Sequence, residues 1–442
     1  MKIIVETTVF LNGGDAAIQV ATKRILTTAF GEDTEIVFAD MDAEVAERYY
    51  PGNDFIVFPS ARIRKNVFVR LINKLTKGWL QIDLVYSILI TMIFLERNLR
   101  WLKYPGHRGA IAQALREYIA ADLIVSTGGT YLSKKHPGSV AVRLPEYERD
   151  IYLGKPPIFF TQSMGPFGEG RIFRRLASVL KKSPLILVRD GRSMTFAREL
   201  IDDPSNVETV ADSVFVLTDQ DKIVKRRAAP RVATPGRRPR IAVSVRRWTD
   251  FGARDSEIGQ AIYHQSVARA VAWLVEEVGA EVTFVSTCQG IPEYPFNDAD
   301  TAKDVWIYLP DHVRNSVVID SQFRDTETLL RKIDEFDGAI CTRMHMCILC
   351  LCQGVPVLPI CYERKTADLF RSLDLEEYVT LIDKIDPDYF GNLVERWWKN
   401  QDLIAERSWR GTIALRDSAL STVDILQRRF APVELQPEAV PS

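Results

Sequence analysis

What this chain lacks narrows it before what it contains. No apolar run approaches the roughly 20 residues that a bilayer-crossing helix needs, and the chain carries no internal repeat and no low-complexity tract. HExxH, a P-loop and a GxSxG elbow are all missing, which removes the usual signs of a zinc protease, a P-loop NTPase and an α/β-hydrolase. Cysteine is scarce, and five of the six crowd between Cys341 and Cys361 in apolar, strand-like and helix-like runs. They read as small buried residues of a reducing compartment rather than as a disulfide scaffold. Cys347, Cys350 and Cys352 have no converging partner motif, so no metal and no other cofactor is expected. A net charge of -1 gives no bias toward nucleic acid.

What is present is an ordinary globular composition, 46% apolar and 26% charged, over 442 residues. That length exceeds what one core usually supports, so two domains are expected. The start, MKIIVETTVFLNGGD, reads as a strand entering a glycine turn and not as a signal peptide, which predicts a cytoplasmic protein. One apolar segment, Leu84 to Leu95, lies between basic flanks at Lys65, Arg70, Lys74, Lys77, Arg97, Arg100 and Lys103. A buried helix is the preferred reading. The other is a helix or hairpin resting on a membrane surface, which adds a peripheral contact with the inner face of the membrane.

Short apolar runs alternate with helical patterns from end to end, the signature of parallel sheets covered by helices. The spacing predicts strands at Ile3 to Thr8, Glu35 to Ala39, Asp54 to Phe58, Leu123 to Ser126, Pro157 to Gln162, Leu185 to Val188 and Val214 to Leu217. A second series follows at Arg240 to Val245, Val282 to Ser286, Ser316 to Ile319, Gly338 to Cys341 and Pro356 to Ile360. The fold class is therefore α/β, with two Rossmann-like doubly wound domains. The first takes residues 1–220, with a helical insert at about 62–104, and the second takes 241–385. Residues 221–240, with eight Lys or Arg against one Asp and three prolines, read as a basic linker, and 386–442 as helices and a tail.

Polar groups recur just past the predicted strands, where open α/β sheets bind ligands. Asn12, Gly13, Gly14 and Asp15 form a turn ahead of a helix, without the GxGxxG spacing of dinucleotide binders. Asp15 either caps that helix or orients an acceptor hydroxyl. Thr127, Gly128 and Gly129 end one strand, and Gln162 and Ser163 end the next. Arg189 and Asp190 either pair locally or extend this polar floor. In the second domain Arg246 follows the first strand, while Arg343 and His345 follow the strand Gly338 to Cys341 and are read as sharing one face of an extended segment. A further strand leads to Tyr362 and Lys365. Cationic side chains gathered at one sheet edge predict an anionic ligand, and arginine offers the planar fork that phosphate and carboxylate accept.

In order and context these motifs resemble the polysaccharide pyruvyl transferases: Asn-x-Gly-Asp at 12–15, Thr-Gly-Gly at 127–129, Gln-Ser-x-Gly-Pro at 162–166, Arg-Asp-x-x-Ser at 189–193, Ala-Asp at 211–212, Ser-Val-Arg at 244–246, and Arg-x-His, Gly-x-Pro and Tyr-x-x-Lys within 343–365. The resemblance implies a GT-B-like arrangement. It also implies transfer of a carboxyvinyl unit from phosphoenolpyruvate to a sugar of a surface polysaccharide or its lipid-linked precursor, usually closing a pyruvate ketal. Carried over residue by residue, it implies donor binding at Arg246, Arg343, His345 and Lys365. His345, Asp15 and Arg343 become the catalytic residues, with Asp15 facing His345 across a cleft. Asn12, Gly13, Gly14, Asp15, Thr127, Gly128, Gly129, Gln162 and Ser163 become the acceptor side. Free histidine titrates near about 6.5, so His345 suits proton donation to C3 of the donor. Two other readings remain, a GT-B glycosyltransferase using a nucleotide sugar and a noncatalytic polysaccharide-assembly protein.

Overall fold

The computed structural model describes residues 1–76, 80–99, 107–201, 204–228 and 236–430. Two compact units emerge, one of Met1–Leu11, Ile18–Ser213 and the chain from Ser418 onward, the other of Asn12–Ala17 and Val214–Asp417. The first unit holds seven parallel strands: β1 (Lys2–Thr8), β2 (Glu35–Asp40), β3 (Asp54–Val57), β4 (Leu123–Ser126), β5 (Ile158–Gln162), β6 (Ile186–Val188) and β7 (Val207–Thr209). They lie in the order β3-β2-β1-β4-β5-β6-β7. Runs such as IIVETT in β1 and IFFTQ in β5 are buried residue after residue, as strands covered on both faces must be.

The second unit repeats the plan with β8 (Arg240–Ser244), β9 (Glu281–Phe284), β10 (Val317–Ile319), β11 (Gly338–Cys341), β12 (Val357–Cys361) and β13 (Thr380–Leu381), again all parallel. The order is β10-β9-β8-β11-β12-β13. Each sheet reverses its winding once, between β1 and β4 and between β8 and β11. At such a switch point the loops diverge and leave a crevice at the carboxyl ends of the strands.

Four expectations are revised. Val214 to Leu217 is a 3-10 turn, Ser213–Leu217, and the seventh strand is the earlier Val207–Thr209. Three residues with one buried side chain leave too little pattern to read. The two-residue β13 was not foreseen for the same reason. The predicted linker opens as a helix, Gln220–Ala228, whose Ile223 packs with Ala405 and Trp409. Its Arg226 donates to the Phe336 and Asp334 carbonyls at 3.1 and 3.0 Å. Residues 229–235 and the tail beyond 430 lie outside the described residues. Finally, contacts divide the chain between Ser213 and Val214, and the helix Gln401–Phe430 contributes to both units.

The insert forms helices Pro59–Arg64, Val67–Leu75 and Gln81–Asn98. Leu84 to Leu95 is a helix with one buried face: Val85, Leu89 and Ile93, one turn apart, are fully covered in a core shared with Ile56, Leu115 and Tyr118, while Phe94 on another face is 51% exposed. Lys77, Arg100 and Lys103 fall outside the described residues. Among the described residues, no helix is long and apolar enough to cross a membrane.

Beneath the first sheet lies a fully buried charge cluster. Arg149, on the helix Pro137–Tyr152, donates to Asp150 at 2.6 Å, to Glu6 of β1 at 3.1 Å and to Glu146, and stacks 3.5 Å over the Tyr118 ring. Tyr118 donates its hydroxyl to Glu6 at 3.1 Å. Three carboxyls share one guanidinium. Burial pushes Glu6 up and Asp150 well above the ordinary carboxylate range, with Arg149 opposing in both cases. A carboxyl raised in the fold opposes folding progressively as pH climbs from its unfolded value, about 4, toward its folded one. Denaturant midpoints should therefore fall with rising pH more steeply in the parent than in Asp150→Asn. Arg149→Met should cost about 3–5 kcal/mol, because it strands buried carboxylates. Equal pH slopes in Asp150→Asn and the parent would show that Asp150 ionises freely in the fold.

Candidate functional site

Parallel pairing brings the carboxyl ends of β8, β9, β11 and β12 to one edge of the second sheet. Over that edge stand Arg246 after β8, Ser286, Thr287 and Cys288 after β9, Arg343 and His345 after β11, and Tyr362 after β12. Arg343 ends the extended backbone of its strand, and the helix Met344–Cys352 begins at the next residue. His345 thus sits in a first helical turn, and the expectation that it shares an extended face with Arg343 is corrected.

Arg343 is held by a residue that the sequence did not reveal. Its Nη2 donates to Asp298 Oδ1 at 2.7 Å and its Nε to Oδ2 of the same carboxylate. Asp298 also accepts from Ser286 Oγ at 2.6 Å, and Ser286 bonds Ser244 of β8 at 2.8 Å. The side chains of Arg343 and Asp298 are 11% and 3% exposed, so the pair is largely desolvated. One edge of the guanidinium is committed to Asp298.

The Asn12 turn joins the same place. Residues 12–17 group with the second unit, so Asn12, Gly13, Gly14 and Asp15 belong with Thr287, Cys288 and His345 rather than across from them. Gly13 N donates to Thr287 O at 3.1 Å, and Cys288 Sγ lies 3.2 Å from Asn12 Oδ1. A Cβ on Gly14 would sit 2.9 Å from His345 Nδ1, and one on Gly13 would sit 2.2 Å from Thr287 O. Only glycine allows this approach. The helix starts at Gly13 and its cap is Asn12, whose Oδ1 accepts from Gly14 N at 3.1 Å. Capping is thus the work of Asn12, and the proposal that Asp15 caps is set aside. Burial pushes the Cys288 thiol up to about 12, keeping it a neutral donor.

Arg246 is held differently. Its guanidinium lies 4.2 Å from the Tyr362 ring centroid and 5.0 Å from that of Trp248, and its backbone N–H donates to Tyr263 Oη at 3.4 Å. Tyr263 in turn meets Thr342 Oγ1 at 2.7 Å, which ties the β8 and β11 ends together. Lys365 lies on the same edge, paired with Glu363 at 2.9 Å. Among the described residues, no three His, Cys, Asp or Glu side chains converge on a metal position, and all six cysteines are buried free thiols.

The strand ends of the first unit carry neutral polar groups together with charges that pair among themselves. Gln162 donates to Thr127 O and to Tyr131 Oη, the latter at 2.9 Å. Ser163 donates to Asp190 at 2.9 Å and accepts from Arg189 at 2.8 Å. Arg189 pairs with Asp212, and Asp190 caps the helix Gly191–Leu200 through Ser193 N at 2.8 Å. The local-pairing alternative for Arg189 and Asp190 therefore holds. Thr7 and Thr161 adopt φ of 63° and 45°, uncommon for β-branched residues, where the β1 and β5 ladders shift register. Gly128 and Gly129 pack against Thr161 and the Tyr131 ring.

A model of the polysaccharide pyruvyl transferases matches residues 12–364, from the Asn12 turn through the end of β12. The chain belongs to this family. Among its relatives, the amylovoran biosynthesis protein AmsJ of Erwinia amylovora is 24% identical over 289 residues, 62% of this chain and 64% of AmsJ. The chain thus spans less than two thirds of the length of that relative. Solved structures share the fold. HepE of Anabaena in complex with UDP-glucose gives a TM-score of 0.53 at 11% identity, covering 97% of this chain and 98% of its own. The UDP-GlcNAc 2-epimerase of Methanocaldococcus jannaschii gives 0.54 at 11%, covering 97% and 99%. MnaA of S. aureus with UDP gives 0.54 at 10% and covers all of both chains. The α/β fold of two doubly wound units with GT-B-like neighbours is therefore as the sequence predicts.

Sequence reading missed Asp298, Ser286, Cys288 and Trp248. Ser286 and Cys288 follow a strand that was recognised, so the strand-end rule reaches them. Asp298 opens a helix within FNDADTAK, where an acidic residue is ordinary. Asp298→Ala should lower unfolding stability by about 3–5 kcal/mol, because it leaves the Arg343 charge buried and unpaired. Denaturant titration checks this, and a loss below about 1 kcal/mol, the size of an exposed pair, would deny the pair its buried character.

Proposed function

We propose that this pyruvyl transferase takes the carboxyvinyl unit of phosphoenolpyruvate and joins it, with release of phosphate, to a sugar of a surface polysaccharide or its lipid-linked precursor. It works at the cytoplasmic face of the membrane. What carries the reading is the gathering of Arg246, Arg343 and His345 at one sheet switch point, within a chain of this family. The donor bears a carboxylate and a phosphate. Arg246 uses its faces on two rings and its Nε–H on the Arg247 carbonyl at 3.4 Å, so its Nη groups are the donors it offers a ligand. Arg343 presents the edge of its fork that Asp298 leaves unused.

In the reaction, a sugar hydroxyl attacks C2 while a proton reaches C3, which gives a tetrahedral phosphate ester. The C2–O bond to phosphate then breaks, leaving an oxocarbenium, and a second hydroxyl closes the ketal and gives up its proton. The sum is donor plus diol giving ketal plus inorganic phosphate. His345 is assigned proton delivery to C3 or to the departing phosphate, and Asp15 orients or deprotonates the attacking hydroxyl. Asn12, Gly13 and Gly14 hold the start of the helix that carries Asp15 against Thr287 and His345. Thr127, Gly128, Gly129, Gln162 and Ser163 form a neutral floor on the acceptor side, and Lys365 adds positive potential for the donor.

Phosphate release from phosphoenolpyruvate with a panel of sugar acceptors tests the reading. Release of UDP from a UDP-sugar donor instead would select a nucleotide-sugar glycosyltransferase, a reading favoured by the nucleotides named with the solved fold relatives. Arg246→Ala is the cleaner binding probe, since Arg343 also balances Asp298. It should weaken donor affinity by about 1.5–3 kcal/mol by calorimetry, and an unchanged affinity removes Arg246 from the donor site. His345→Ala and Asp15→Asn should each lower turnover by about 100-fold or more, with donor affinity nearly intact. Parent-like turnover in either variant removes that residue from the chemical step.

A further inference from the structure

We propose that the helix Val67–Leu75 is a docking element for an anionic bilayer surface, a role distinct from that of the partly buried helix Gln81–Asn98 beside it. Val67, Phe68, Leu71 and Leu75 are 74%, 76%, 52% and 74% exposed. With about 100° per residue, these four positions fall within a stripe about 100° wide. A contiguous apolar stripe of this kind is not an ordinary water-facing surface. The helix cannot roll to hide it. Asn66 caps its start by accepting from Phe68 N at 2.9 Å, and Val69, on the opposite side, is buried in the core with Val85 and Leu89.

Charge selects the occupant. Residues 59–75 contain Arg62, Arg64, Lys65, Arg70 and Lys74 and no Asp or Glu. Arg64 is turned inward, to Gln81 and the Ala141 carbonyl at 2.6 Å each, and Arg62 and Lys65 stand 3.7 Å from Glu44 and Asp42. Arg70 and Lys74 are exposed beside the apolar stripe and make no ion pair among the described residues. Such side chains lay their methylenes along an apolar surface while their charges reach outward, as cations do at a headgroup layer. Next to the helix opens a groove of about 710 Å³, lined by Ile63, Val69, Ile72, Ile88 and Met92 together with Arg62 and Lys65. Its apolar walls and basic residues suit an acyl chain under an anionic headgroup. A protein partner would need acidic residues matched to these cations, whereas an anionic bilayer supplies both apolar depth and negative charge over any footprint.

The test is flotation of the full chain with phosphatidylglycerol-containing vesicles and, in parallel, with phosphatidylcholine vesicles. The parent should float with the anionic vesicles, less at high salt and less with phosphatidylcholine. Arg70→Gln and Lys74→Gln should each weaken partition by about fivefold, and Phe68→Asp with Leu71→Asp should abolish it. Thermal unfolding and phosphoenolpyruvate binding, both unchanged in these variants of exposed residues, would show that fold and donor site are intact. The docking result does not depend on the donor reading, because flotation requires no catalysis. No flotation with anionic vesicles, or flotation untouched by the double Asp variant, overturns the proposal. So does sedimentation in which the stripe instead holds two copies together.

Discussion

The contact on which the candidate site depends is the buried pair of Asp298 and Arg343. A guanidinium this well covered is tolerated only beside a carboxylate in good geometry, and Asp298 accepts along one whole edge of it. The carboxylate is itself fixed by Ser286 just past β9 and through it by Ser244 of β8, while Arg343 lies just past β11. One side chain therefore registers three strand ends and the start of its own helix, Asp298–Trp306. A buried pair of this kind is a weak source of net stability, because desolvation opposes the Coulomb attraction. Its value here is placement: the cation cannot swing, and so a ligand meets it already oriented.

Two arginines on one sheet edge are thus held by two unlike devices. Arg343 is gripped in its plane and charge-balanced before any ligand arrives. Arg246 is gripped across its faces by Tyr362 and Trp248, which leaves its charge without a carboxylate partner among the described residues. For the proposed donor, with its two anionic groups, the two arrangements are complementary, since one fully committed cation would attract it weakly and two uncommitted ones would repel each other. Tyr362, against Arg246 and within the electrostatic reach of Arg343, links the two.

Much of this was legible in the chain. Continuous apolar runs gave twelve strand candidates, of which the long ones stand almost to the residue, because parallel strands buried on both faces carry an unmistakable pattern. Arg246, Arg343 and His345 were visible for the simple reason that each follows such a run. What escaped was whatever depended on partners distant in sequence. Asp298 meets Arg343 across 45 residues, and nothing local distinguishes it from any acidic residue opening a helix. The Asn12 turn was seen, but its grouping with the second unit rests on Gly13 reaching Thr287, far along the chain. Arg189 followed its strand as faithfully as Arg246 did, and it was Asp212 that made it a local ion pair.

That last contrast bears on how the two units divide the chemistry. Both sheets wind the same way and both place polar residues at the switch point, so topology alone assigns no roles. At the edge of the first unit, Thr7, Ser126, Thr127 and Tyr131 form a web of hydroxyls, Gln162 joins it through its amide, and Arg189 is neutralised. At the edge of the second, Arg246 has no carboxylate partner among the described residues, and His345 follows β11 on the same edge. A neutral, hydroxyl-rich floor suits exchange of hydrogen bonds with a sugar, whose groups are donors and acceptors without charge. It offers little to a phosphate. The same edge holds strain: a β-branched residue held at positive φ costs of order 1–3 kcal/mol, and the fold retains two, Thr7 and Thr161, where the β1 and β5 ladders slip. The charge asymmetry of the two edges, rather than the shared fold, is what supports the proposal of a donor on the second unit and an acceptor on the first.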